Sequence, residues 1–157
     1  MKKIILTIIM VLTMTASFAN PLTLEARQSL NKIVAAEATI ADTVAEMALS
    51  VKIATKMAAL ASKLEDPKLR KFADKVIKAG DNWRNRRVGR EKSYSELKEL
   101  SQKILDANDD SNFPYLNAKI TKYNSSVKKY NAACKVLDDA THKCIKCFND
   151  YCMKRGL

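Results

Sequence analysis

GDNWRNRRVG, residues 80 to 89, decides how many helices the chain contains. It is bracketed by two of the three glycines, and a glycine inside a helix costs about 1 kcal/mol relative to alanine. Either one is a natural place for a helix to stop. Yet the apolar positions keep a single seven-residue phase across both. Leu69, Phe72, Val76, Ala79 and Trp83 lead into the stretch, Arg86, Arg90 and Ser93 occupy the next seam positions, and Leu97, Leu100, Ile104 and Ala107 resume the series. A true break resets the register, so phase continuity predicts one rod, with a kink near Gly80 or Gly89 as the fallback.

Outward from this rod, two polar breaks mark its ends. In LEDPKL, Asp66 is placed as an N-cap with Pro67 in the first helical position, and DANDDSNFP forms a polar turn that ends at Pro114. The segment before the first break carries Leu30, Ile33, Glu37, Ile40, Val44, Met47, Val51, Ala54, Ala58 and Ala61 at strict a/d spacing. The segment after the second carries Phe113, Leu116, Ile120, Tyr123, Val127, Tyr130, Cys134, Leu137, Thr141, Cys144, Phe148 and Tyr151 in the same way. Seams sustained over several heptads, with no strand-like alternation anywhere, predict an all-α chain. The expected architecture is an antiparallel up-down-up bundle of three long helices, each of about 42 residues and ~63 Å. The alternative is four helices, with the second rod broken near Gly80 to Gly89.

Upstream of these segments the chain begins MKKIILTIIMVLTMTASFAN. Two lysines, an apolar and threonine run, and the small residues Ser17 and Ala19 make the three parts of a secretory signal peptide over residues 1 to 19. The apolar run is shorter than the ~20 residues a spanning helix needs. Residues 20 to 157 are then expected to be a single exported domain, periplasmic or secreted from a bacterium. Loss of Lys2 and Lys3 leaves 26 of the 28 basic side chains against 17 acidic ones, a net charge of +9. Export argues against nucleic acid as the partner of that charge. An anionic envelope surface fits it better, and Arg84, Arg87 and Lys92 are the candidate contacts on the exposed face of the middle rod.

Folding the rods about their two turns brings seam exceptions together. Glu37 falls opposite Ser93 and within a turn of Arg90, and Arg90 falls opposite Tyr130. A buried polar layer of Glu37, Arg86, Arg90, Tyr123 and Tyr130 is therefore expected at mid-length, either fixing register or forming a site between helices. The stretch YNSSVKKYN, residues 123 to 131, lies in this region. Through Tyr123, Asn124, Val127, Tyr130 and Asn131 it resembles the Tyr-Asn-x-x-Val-x-x-Tyr-Asn signature of the LemA family. The resemblance implies a long-helix protein of the bacterial envelope and brings no activity with it.

Three of the four cysteines and the single histidine fall in HKCIKCFNDYC, residues 142 to 152. On a helix His142, Cys144, Cys147 and Cys152 spread around the axis, which disfavours one zinc ion held by all four. CIKCFNDYCMKR also resembles the tail of cytochromes of the c-prime type, with Cys144, Cys147 and Tyr151 in place and Phe148 where an axial histidine belongs. Disulfides are the default for an exported chain. Along one helix Cys134 lies ~15 Å from Cys144 and ~27 Å from Cys152, beyond bridging distance. Cys144 with Cys147 comes closest, Cys152 needs the last turn to unravel, and Cys134 reads as a buried thiol or a link between chains.

No phosphate loop, metalloprotease motif or nucleophile with a base is present, so no enzyme and no cofactor are expected. The reading is a non-enzymatic interaction or structural module of the cell envelope, with a protein partner, self-association or an anionic surface. Its alternative is a periplasmic bundle that carries haem or a metal.

Overall fold

The computed structural model describes residues 20 to 35 and 41 to 156. The expected signal peptide and Glu37 lie outside the described residues. Four helices run through the described residues: α1 (Leu24–Ala35), α2 (Ala41–Lys63), α3 (Pro67–Ala107) and α4 (Phe113–Lys154). The second rod is one helix through both Gly80 and Gly89, as phase continuity required. The first segment is described as two helices, α1 and α2, on either side of residues 36 to 40. The count agrees with the four-helix alternative, although the second rod is not broken near Gly80 to Gly89.

Five of the described helix ends have a local chemical cause. Thr23 Oγ1 accepts the Ala26 N–H at 3.2 Å and Asp66 Oδ1 accepts the Leu69 N–H at 2.8 Å, so both residues cap helices. After α2, Glu65 takes the left-handed conformation at φ 53°, with N–H bonds from Asp66 to the Ala61 carbonyl and from Glu65 to Ser62. That is a Schellman closure. Asn108 ends α3 in the same backbone region with a single bond to the Ile104 carbonyl. Gly156, at φ 67°, follows the last turn of α4. The helix is closed there, so Cys152 stays helical and the unravelling that would free it for pairing does not occur.

Contacts divide the chain into two compact units. In one, α1 packs with residues 88–107 of α3 and 113–129 of α4 around Leu30, Ile33, Leu97, Ile104, Leu116 and Tyr123. In the other, α2 packs with residues 67–87 of α3 and 130–154 of α4 around Val51, Ala61, Val76, Trp83, Leu137 and Cys144. Within each unit α3 runs antiparallel to the helices packed against it. Glu96 reaches Lys119 and Lys122 while Arg90 reaches Tyr123, and Arg70 reaches Ser62 while Gly80 faces Val51.

The predicted seams of α2 and α3 are buried at nearly every apolar position. In α4 the match holds to Tyr130 and again at Leu137 and Cys144, which are buried. Elsewhere in that half the burial moves back by one residue: Ala133 and Cys147 are buried, whereas Cys134, Thr141, Phe148 and Tyr151 are half-buried. Cys134 is thus not the buried seam thiol expected of it. The stripe is wider here, because Ala133, Ala140 and Cys147 form an apolar row beside the predicted one. Which row faces inward is set by the helices that cover it.

Small residues allow α2 and α3 to approach closely. A Cβ at Gly80 would stand 2.4 Å from Val51 Cγ2 and 3.3 Å from Cγ1, whereas one at Gly89 meets nothing within 4 Å. Gly89→Ala should therefore stabilise the protein by about 1 kcal/mol through helix propensity alone. Gly80→Ala should destabilise it by about 1–2 kcal/mol, since overpacking against a stiff β-branched side chain exceeds that gain. Urea unfolding of both variants, with Val51→Ala as the rescuing partner of Gly80→Ala, measures the difference.

Glu96 is held by hydrogen bonds from Lys119 and Lys122, each at 2.8 Å, which lower its pKa from 4.5 to about 2. A depressed carboxylate pKa gives stability that is complete above the ordinary value and is lost as pH falls through the folded one. Glu96→Gln should lower the melting temperature modestly at pH 7, and the difference from the parent protein should close between pH 4.5 and about 2. Thermal melts across that window check it.

Candidate functional site

The structure assembles part of the expected polar layer, all of it within one unit. Arg90 is 6% exposed, and its Nη2 donates to Tyr123 Oη at 3.3 Å, with the guanidinium 5.9 Å from the ring centroid. Ser93 Oγ donates back to the Arg90 carbonyl at 2.9 Å. Tyr94, which the seam analysis missed, packs its ring 5.6 Å from that of Tyr123 and donates its hydroxyl to the Ile33 carbonyl at 2.9 Å. The layer therefore fastens α1 to α3.

Other predicted members are elsewhere. Arg86 is exposed rather than part of the layer, because its turn of α3 points Trp83 inward and leaves the next seam position at the surface. Tyr130 is buried but belongs to the core of the second unit. Of the LemA-like stretch, Tyr123, Val127 and Tyr130 are core residues and Asn131 is exposed.

Of the expected basic contacts, Arg84 and Arg87 belong to one unit and Lys92 to the other. Arg84 is exposed and bonds Asp81 one turn back at 2.7 Å. Arg87 lays its guanidinium 5.8 Å from the centre of the Trp83 ring, a use of its charge in packing. Lys92 is exposed in the other unit.

Within the chain no disulfide joins any two of the four cysteines. Cys144 and Cys147 face the same core, 1% and 7% exposed. Cys144 Sγ lies 3.5 Å from Met57 Sδ on α2. Burial raises the pKa of both thiols, and their mutual proximity adds to the rise at Cys144. His142 is exposed and bonds back to the Asp138 carbonyl at 2.9 Å, away from this pair. Phe148 packs against the core where the cytochrome-like tail would place a ligand.

Two features were not foreseen. The first is a clasp at the start of the described chain, where the Asn20 backbone nitrogen donates to Asp110 Oδ1 at 2.9 Å and Asn20 Nδ2 to Oδ2 at 3.3 Å. Asp110 N–H returns a bond to the Asn20 carbonyl at 3.1 Å, and this carboxylate is only 5% exposed. The sequence signals were the residue after the predicted cleavage point and the acidic turn before α4. The second is the outward face of α2, where Leu49, Ile53 and Leu60 stand exposed at helical spacing among Lys52, Lys56 and Lys63. The seam analysis recorded only the inward residues of that helix.

No family model, curated protein or solved structure matches the chain.

Tyr123→Phe should cost about 1–2 kcal/mol, because it removes an acceptor from a buried guanidinium. In an Arg90→Met background the same substitution should cost less by about 1 kcal/mol. A double-mutant cycle in urea measures this coupling, and an additive pair would show that the arginine and tyrosine merely share a location.

Proposed function

We propose that the chain is a non-enzymatic interaction module of the bacterial cell envelope, exported by cleavage after Ala19, that binds a protein partner along the outward face of α2. The observation that carries the binding surface is the row of Leu49, Ile53 and Leu60, with Leu49 56% exposed, interleaved with three lysines. Apolar side chains at i, i+4 and i+11 on one solvent-facing helix, rimmed by three lysines with Glu46 at the near end, suit a partner surface with apolar pockets and mostly acidic residues around them.

The Asn20 clasp supports export. After cleavage the Asn20 nitrogen is an α-ammonium, and its 2.9 Å bond to the buried Asp110 carboxylate becomes a charge-assisted one. Processing at that junction would give the carboxylate its ionic partner. The YNSSVKKYN resemblance supports the same compartment.

Photocrosslinking residues placed at Leu49 and Ile53 in growing cells test the reading, with Lys103, exposed on α3, as the control position. The expected result is a discrete protein adduct from 49 and 53 that is absent from 103 and is lost with Lys52→Glu and Lys56→Glu. The intact mass of the envelope fraction should correspond to a chain that begins at Asn20. Equal labelling at all three positions, or adducts with phospholipid alone, would overturn the protein-binding assignment, and a mass beginning at Met1 would overturn export.

A further inference from the structure

We propose that Cys144, Cys147 and Met57 form a binding site for one monovalent soft metal ion, Cu(I), within the core of the second unit. The three sulfurs come from two helices: Cys144 and Cys147 lie one turn apart on α4, and Met57 lies on α2. Both cysteines are buried in one cluster, Met57 packs against it, and Cys144 Sγ already touches Met57 Sδ at 3.5 Å.

Spacing and chemistry both point to this class of ion. Thiolate and thioether donors select Cu(I) over the harder divalent ions, and thioether ligation in particular is of little use to zinc. Residues at i and i+3 on a helix present their side chains to the same side, so the two thiols converge where the four ligands His142, Cys144, Cys147 and Cys152 together do not. A metal–sulfur bond of about 2.3 Å in a three-coordinate site puts neighbouring sulfurs ~4 Å apart. The Cys144 to Met57 contact therefore needs to open by only about half an ångström, a movement within the reach of flexible methionine.

The exchange balances. Binding replaces two thiol protons by one Cu(I), releasing two protons and leaving a site of net charge −1, with no change in oxidation state. Lys68 and Lys154 are the cations near Cys147. The lone exposed histidine contributes nothing, and Cys134 and Cys152, half-buried at other turns of α4, are outside the trio.

Anaerobic titration of the reduced chain beginning at Asn20 with Cu(I), delivered as its acetonitrile complex against a coloured Cu(I) chelator, tests the site. The expected result is one Cu(I) per chain and an ultraviolet thiolate-to-copper band. Met57→Leu, which conserves volume, should weaken binding at least about tenfold. Cys144→Ala and Cys147→Ala should abolish it with helical circular dichroism retained, and Cys134→Ser and Cys152→Ser should leave it unchanged. Binding that survives Cys144→Ala, that depends on Cys134 or Cys152, or that prefers Zn(II) over Cu(I) would overturn the assignment. So would transfer of all the copper to the chelator by the parent protein. Should Met57→Leu bind as tightly as the parent, the thioether is not a ligand and the three-sulfur site is refuted.

Discussion

An apolar stripe that runs for forty residues along a helix has to be covered at every turn, and this requirement governs the whole structure. Both α3 and α4 carry such a stripe from end to end. The first segment of the chain supplies the cover in two pieces: α1 closes one core and α2 the other. Because the two pieces differ in side-chain size, so do the cores. Against α1 the long helices use Leu, Ile, Phe and Tyr. Against α2, with Ala54, Ala58 and Ala61 on its inner face, they draw close enough for Gly80 to be filled by a valine methyl. The glycine that looks like a helix breaker in the sequence is there to let a neighbour in.

Burial of polar groups follows from the same packing. Arg90 stands at a seam position where an apolar side chain would pack with less penalty, and its guanidinium is accommodated by the Tyr123 hydroxyl and ring face. Such a group contributes little to net stability, because desolvation offsets the contacts it makes. It does penalise any register in which the tyrosine is out of reach. Tyr94 adds to this discrimination by donating to the Ile33 carbonyl, so the position of α1 is tied to the register of α3.

The heptad phase was legible in the sequence because it depends only on spacing, and Leu30, Val51, Leu69, Leu97, Leu116 and Leu137 all lie where it put them. The Asp66 and Pro67 helix start was legible for a similar reason, since a cap is a local bond between near neighbours. What failed was tertiary. The repeat could not say whether Cys134 or Ala133 faces inward, because both rows are apolar and the choice belongs to the covering helices. Arg86 and Arg90 share the seam pattern, yet only Arg90 meets an aromatic partner with a hydroxyl to offer. The Asn20 to Asp110 clasp joins residues 90 positions apart, and no local pattern announces such a bond.

The cysteines show most sharply how placement changes chemistry. By composition they read as a disulfide framework for an oxidising compartment. On a continuous helix Cys134 and Cys152 are carried to other turns, and the pair that remains is sealed in hydrocarbon. A thiol reacts with oxidants as its thiolate, and burial disfavours that form at both Cys144 and Cys147. The core thus protects these sulfurs from oxidation, while leaving Cys144 in contact with a third soft donor on α2. An ion able to displace the protons directly gains what the oxidant is denied, because the desolvation that penalises a bare thiolate is offset by the metal's own charge.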